Sequence, residues 1–246
     1  TEQEFNQLLS SSFAGDSGES QQVAAGLALA ASPDERAAGF TFPGVFGAVA
    51  TAYFQRYGAT CADLWEVTIK SHQNAALNPK AQYRKSIQEI MDGKIEKSRT
   101  RGQPLPEWQD ERAFLADARA NPAIAWPMHL FDCSPISDGA ACLLLVGEEL
   151  ARSFTDNPLY VAGIGQASGR SLSQADDLTS LEASRAAARE AYTMAGLQPS
   201  DVQFAEVHDC FSIAEILHIE DLGFFPAGEG YRAVSRGETR RDGPMP

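Results

Sequence analysis

The chain has 246 residues, 43% of them hydrophobic, which suits one large domain or two small ones with a sizeable core. A net charge of −13 and a pI of about 4.7 argue against a basic face, and so against nucleic acid as a partner. No stretch reaches the ~20 apolar residues of a membrane span and none reads as a signal peptide, so neither membrane nor export is expected.

The first forty residues are weakly patterned: "SSSFAGDSGESQQ" reads as flexible and "VAAGLALAA" as a short apolar element. "TFPGVFGAVATAYFQRYG" reads as a helix, with Pro43 near its start, apolar residues recurring at helical spacing from Phe46 to Tyr57, and Gly58 to end it. Thr60 can cap a second helix, "CADLWEVTIKSHQNAAL", closed by Asn78–Pro79. A shorter helical piece is expected in "NPKAQYRKSIQEIMDG". Residues 93–112 are polar and of mixed charge and read as an exposed loop or insertion, which "AFLADARANPAIAWP" continues with a helical turn or two.

Composition changes after residue 130. Three apolar runs, "DGAACLLLVG", "LYVAGIGQAS" and "DVQFAEV", have the length and flanks of buried strands. Between them lie a short helix, "EELARSF", and a longer one, "LEASRAAAREAYTMAG", for which Thr179 and Glu182 offer a capping box and Gly196 an end. Ser212 and Glu215 offer a second capping box ahead of "IAEILHIEDLGF". Strand alternating with helix implies a mostly parallel α/β layer behind a helical first half.

The chemistry concentrates in "EVHDCF", residues 206–211. His208 falls at the carboxyl end of an expected strand, directly before a helix, where α/β sheets gather ligands. A neutral imidazole there can donate to a developing oxyanion or hold a water. The plainer reading is a half-buried histidine satisfied by backbone. Asp209 can serve the turn and Cys210 the core; a Cys210–His208 nucleophilic pair is the reactive alternative. "MHLFDC" brings His129, Asp132 and Cys133, which could join "HDC" around a metal, although nothing in the spacing requires it and no metal is expected. The four cysteines, Cys61, Cys133, Cys142 and Cys210, form no CxxC pair and no disulfide framework, so reduced thiols are expected. "GIGQASG" lacks the glycine spacing of a dinucleotide loop and reads as strand plus turn. Lys94, Lys97, Arg99 and Arg101 read as a solvated run, with a dock for carrier phosphates as the alternative.

Taken together, "GFTFPGVFGAVATAYFQRYG", "SHQNAALNPKAQYR", "DCSPISDGAACLLLVGEE" and "AEVHDCFSIAEILHIEDLGF" resemble the thiolase superfamily, in particular thiolases of the sterol-carrier-protein type. The last stretch is the most specific, with His-Asp-Cys-Phe standing where other thiolases carry Asn-Glu-Ala-Phe. The resemblance implies a layered α/β/α/β/α fold, incomplete here, with a mainly helical loop domain. Residues 1–38 would be the tail of the N-terminal half, 39–130 the loop domain that shapes an acyl-CoA tunnel and oligomer contacts, and 131–246 the end of the first half and the start of the second.

It also implies acyl-CoA C-acyltransfer, the cleavage or condensation of acyl-CoA thioesters. His208 would serve an oxyanion hole, supported by Asp209, Cys210 and Phe211. Coenzyme A thioester would be the substrate, no cofactor would be tightly bound, and a cytoplasmic homodimer or tetramer is expected. The family's nucleophilic cysteine and its Gly-His-Pro histidine match nothing in these 246 residues, so the chain resembles an internal fragment, inactive alone. Two alternatives stay open. One is a thiolase-fold retro-aldolase acting on steroid side-chain CoA thioesters with a small OB-fold partner. The other is a non-catalytic, CoA-binding scaffold subunit.

Overall fold

The computed structural model describes residues 41–170, 175 and 177–246, and Thr41 opens the first helix among them. The flexible segment, the apolar element and the 1–38 tail expected upstream lie outside the described residues. The Thr41 hydroxyl accepts from the Gly44 N–H, Pro43 occupies the first turn, and helix α1 (Phe42–Tyr57) ends at Gly58, whose φ of 76° needs a residue without Cβ. Helix α2 (Cys61–Leu77) begins where the Asp63 carboxylate accepts from the Thr60 N–H at 2.8 Å, and stops ahead of Pro79.

Helix α3 (Ile87–Thr100) corrects the sequence reading, because it runs well into the stretch expected to be a loop from residue 93. Its start is fixed by a reciprocal Ser86–Glu89 box, with bonds of 2.8 and 3.1 Å. Ile87 and Met91 are buried and Ile95 packs beside them, so an apolar stripe carries the helix past Gly93. Helix α4 (Glu111–Ala116), capped by Asp110, supplies Phe114 and Leu115 to the same cluster. A two-stranded antiparallel hairpin follows, β1 (Ala123–Ala125) and β2 (Met128–His129), and then a 3₁₀ turn over Leu130–Asp132.

The second half contributes helices α5 (Glu148–Ala151), α6 (Glu182–Ala195), α7 (Ser212–Asp221) and α8 (Gly230–Ser235). The three apolar runs expected as strands, residues 138–147, 159–168 and 201–207, form no ladder, and among the described residues the β1–β2 hairpin is the one sheet. An apolar run becomes a strand only when neighbouring backbone accepts its N–H and C=O groups. These runs find too few such neighbours for a ladder, the Ala205 N–H donating to the Pro246 carbonyl at 3.0 Å, and many of their side chains stay open: Leu159 is 99% exposed, and Leu143, Leu145, Val161 and Phe204 are also exposed. The run around Gly163 and Gly165 lies against α6, where a Cβ on Gly165 would stand 1.8 Å from the Ala187 carbonyl oxygen. The glycines of "GIGQASG" therefore serve close backbone packing rather than a phosphate.

The main core joins both halves of the described chain. Val49 and Tyr53 of α1 and Leu64 and Val67 of α2 pack with Ile213, Ile216 and Leu217 of α7 and Val234 of α8. Helix α7 is thus buried on nearly every side, and its first turn, which follows "HDCF", is held by the helical half of the chain. No helix among the described residues is long and apolar enough to cross a membrane.

Candidate functional site

The segment before α7 is fastened at three levels. Phe211 is buried, stacks on Phe46 at a centroid distance of 4.5 Å, and forms an isolated antiparallel bridge with Cys133. The Ser134 N–H donates to the Cys210 carbonyl at 3.0 Å, so residues 133–134 run as a short antiparallel splint beside 210–211. Asp209 accepts from the Ser71 hydroxyl of α2 at 3.0 Å.

His208 itself is exposed, and among the described residues no side chain hydrogen-bonds its imidazole. The structure thus leaves this ring free to donate outward, while the residues that follow it are held. Cys210 is half-buried, and burial pushes its thiol up, with Asp209 adding to the effect. It does not have the environment of an activated nucleophile. Nearby, burial holds His218 of α7 below the usual histidine value, and the proximity of His208 acts in the same direction.

Asp132 lies underneath this splint with its side chain fully buried. Its Oδ1 accepts from the Ser212 hydroxyl at 3.1 Å and stands 3.3 Å from the Thr68 hydroxyl; its Oδ2 accepts from the His129 N–H at 2.9 Å. The Thr68 and Ser212 hydroxyls are themselves 3.1 Å apart. Three residues from three parts of the chain thus meet at the first turn of α7. Ser212 was expected to cap that turn with Glu215; instead Phe211 holds the cap position, Ser212 turns inward to Asp132, and Glu215 pairs with Lys70 of α2 at 2.5 Å. Burial raises the Glu215 carboxyl, and the Lys70 ammonium opposes this.

The other expected box is also absent. Leu181 is the cap of α6, its N–H donating to Asp221 at 2.6 Å, while Thr179 bonds Asp177 and Arg56. In both places a tertiary partner outcompetes the local cap.

The metal alternative does not assemble. Among the described residues no group of three or more His, Cys, Asp or Glu side chains could hold an ion, and Asp132 spends both oxygens on the donors just named. Cys61 and Cys133 are poor ligands and poor nucleophiles. Burial, with the Asp132 charge next, pushes them up to about 11 and about 12. Cys142 is exposed on an apolar run.

A small cavity of about 30 Å³, lined by Lys70, Val207, Glu215, Thr239 and Pro246, has room for roughly one water and not for a thioester. Thr68, Lys70 and Ser71 were not singled out from the sequence. Their polarity was a weak signal, because α2 also carries Asp63, Glu66, His72, Gln73 and Asn74.

Comparison with known proteins bears on the family resemblance and the fold. Residues 165–246 match a family model described as thiolase C-terminal domain-like. An acetyl-CoA acetyltransferase of Methanothermobacter thermautotrophicus is 39% identical over 211 residues, 85% of this chain and 48% of that protein. One from Methanocaldococcus jannaschii is 33% identical, over 80% of this chain and 44% of that protein. The chain thus spans about half the length of these curated relatives. Among solved structures, an Ltp2–ChsH2(DUF35) aldolase superposes with a TM-score of 0.64 at 24% identity, covering 83% of this chain and 48% of that one. The resemblance to the thiolase superfamily holds across most of the chain, and the fold is thiolase-like.

Proposed function

We propose that the parent protein of this thiolase-like chain is an acyl-CoA C-acyltransferase that cleaves or forms the carbon–carbon bond between acyl-CoA thioesters, with His208 as an oxyanion-hole donor. One observation carries this reading: His208 is exposed and unengaged on a segment whose following residues, Asp209 to Ser212, are each fastened to another part of the chain. A free donor on a fixed mount suits a group that must meet charge as it develops on a thioester oxygen. The identity to the two acetyl-CoA acetyltransferases supports the reaction class.

The reaction needs an acyl-accepting thiolate. Burial disfavours that role for Cys61, Cys133 and Cys210, and none of the four cysteines, the exposed Cys142 included, matches the family's nucleophile motif, so the proposal takes the thiolate from outside these 246 residues. The substrate is a coenzyme A thioester, no cofactor is tightly held, and the working form is a cytoplasmic homodimer or tetramer. Residues 39–130 act as the loop domain, with 131–246 carrying the site.

A second reading is supported by the fold match to the Ltp2–ChsH2(DUF35) aldolase. In it the parent is a retro-aldolase on steroid side-chain CoA thioesters that works with a small OB-fold partner. The two reactions differ in stoichiometry. Thiolysis consumes free coenzyme A and yields two thioesters. Retro-aldol cleavage of a β-hydroxyacyl thioester consumes none and releases a carbonyl compound. The test is to incubate the parent with acetoacetyl-CoA, with and without coenzyme A, and to follow acetyl-CoA formation. Coenzyme A-dependent cleavage that falls ~10²–10³-fold in His208→Ala is expected. Unchanged turnover in that variant removes His208 from the site. Cleavage of a β-hydroxyacyl thioester without coenzyme A, in a parent unable to thiolyse acetoacetyl-CoA, favours the second reading.

A further inference from the structure

We infer that Asp132 is a positioning residue for the proposed reaction, setting the place of His208 through Ser212 and the 133–134 splint; this rests on the acyltransferase reading above. The carboxylate is 0% exposed at its side chain and has no lysine or arginine beside it; the His129 imidazole, its Nδ1 3.6 Å from Oδ2, stands beyond hydrogen-bond reach. Burying an anion in this way is costly unless donors replace its water. The donors here come from separate elements: the His129 N–H from the hairpin end, the Ser212 hydroxyl from the first turn of α7, and the Thr68 hydroxyl from α2.

Proton accounting sharpens this. Thr68 has one hydroxyl proton and three acceptors within reach, namely the Phe131 carbonyl at 3.1 Å, Asp132 and Ser212, while the Ser212 proton has two, Asp132 and Thr68, each at 3.1 Å. Ser212 is the one member of this network on α7, and so the link from the carboxylate to that helix. Asp132 immediately precedes the splint and Ser212 immediately follows the segment that the splint holds. One carboxylate thus closes a ring: Asp132, Cys133, Ser134, across the 3.0 Å bond to Cys210, Phe211, Ser212, and back to Asp132. His208 projects two residues beyond that ring. Residues 201–207 form no ladder, so the Ser71–Asp209 bond beside His208 and the ring just beyond it are what fix the place of its imidazole. A charge serves this better than an amide, since a carboxylate accepts from all three elements at once, while an asparagine must turn a donor toward one of them.

The test uses Asp132→Asn and, as a second and milder variant, Ser212→Ala, each in the full-length parent. Two readouts are taken. The first is the kcat/KM for thiolysis, alone and in the His208→Ala background. Displacing a catalytic group by around 1 Å costs up to ~10²-fold, so a ~10- to 100-fold loss is expected with His208 present and under ~3-fold with it absent. Equal losses in both backgrounds overturn the inference.

The second readout is hydrogen exchange at the Ser134 amide, against the Gly58 amide at the end of α1 as control. Faster exchange at Ser134 alone is expected in both variants. Protection unchanged at Ser134 in Ser212→Ala overturns the inference even if Asp132→Asn fails to fold. Exchange does not depend on turnover. A parent inactive in thiolysis therefore sinks the reaction reading, while Ser134 still decides whether Asp132 fixes the ring.

Discussion

Replacing Lys70 by methionine isolates one buried charge. Lys70 and Glu215 are 14% and 3% exposed at their side chains, with Nζ and Oε1 2.5 Å apart. At an effective dielectric constant of 20, two unit charges at that distance attract by about 7 kcal/mol. Desolvating each ion costs several kcal/mol, so the intact pair contributes little net stability. Lys70→Met removes the attraction and leaves the carboxylate's desolvation penalty uncompensated, for which about 3–5 kcal/mol of destabilisation is expected.

The pH dependence gives the argument its sign. Burial holds the folded Glu215 pKa above its unfolded value, so its favourable contribution is present below the unfolded pKa of about 4.3 and is lost as pH rises through the folded pKa. Without the ammonium the folded pKa rises further. The deficit relative to the parent sequence is therefore full at pH 8 and shrinks toward pH 5. With a slope of about 2 kcal/mol per molar urea, the unfolding midpoint should fall by ~1.5–2.5 M at pH 8. Adding Glu215→Leu should restore it to within ~1 kcal/mol, because the orphaned charge is gone. A deficit equal at both pH values, or one that Glu215→Leu fails to relieve, would refute the reasoning.

Two further outcomes are expected. Tyr53→Phe removes the phenol that donates to Glu220 at 2.5 Å and leaves the Gly228 and Gly230 N–H groups on that carboxylate, so a loss of about 1.5–3 kcal/mol by chemical denaturation is predicted; a variant as stable as the parent sequence would show that the two backbone donors suffice. The thiols should alkylate in a fixed order. With Cys61 and Cys133 pushed up to about 11 and about 12, only ~10⁻³ and ~10⁻⁴ of each is thiolate at pH 8, so peptide mass spectrometry after iodoacetamide should find the exposed Cys142 modified long before either. Labelling of Cys133 at the rate of Cys142 would contradict its burial.

What could be read from the chain depended on how local the deciding interaction is. Helices α1 and α2 were legible because their signals lie within one turn: Pro43 and Gly58 at the ends of α1, Thr60 and Pro79 around α2. Helix α3 was cut short because the polar run "GKIEKSRT" hides a single stripe, Ile87, Met91 and Ile95, that only packing against Phe114 reveals. The apolar runs at 138–147, 159–168 and 201–207 were legible as strand-like, but pairing needs neighbours that no local pattern specifies. The capping boxes failed for the opposite reason. Thr179, Ser212 and Glu215 had the right local geometry and were taken by Arg56, Asp132 and Lys70, residues 80 or more positions away.

The same contrast explains how the candidate site is held. In a closed sheet, a strand-end histidine inherits its position from ladder bonds on both sides. Here His208 follows a run without a ladder, and its position comes from what lies after it: Asp209 on Ser71, the 133–134 splint on 210–211, Ser212 on Asp132, and Glu215 on Lys70. Three of these four fastenings reach α2 directly or through Thr68, so one helix of the first half carries the segment. The Ser212–Asp132 and Glu215–Lys70 bonds cannot break without stranding a buried group, which makes the arrangement stiff against small displacements but vulnerable to single substitutions. The sharpest losses should therefore fall at Thr68, Lys70, Asp132 and Ser212, of which Asp132 and Ser212 entered the sequence reading in other roles, while the exposed apolar side chains at Leu143 and Leu159 should tolerate change in this chain because they touch so little of it.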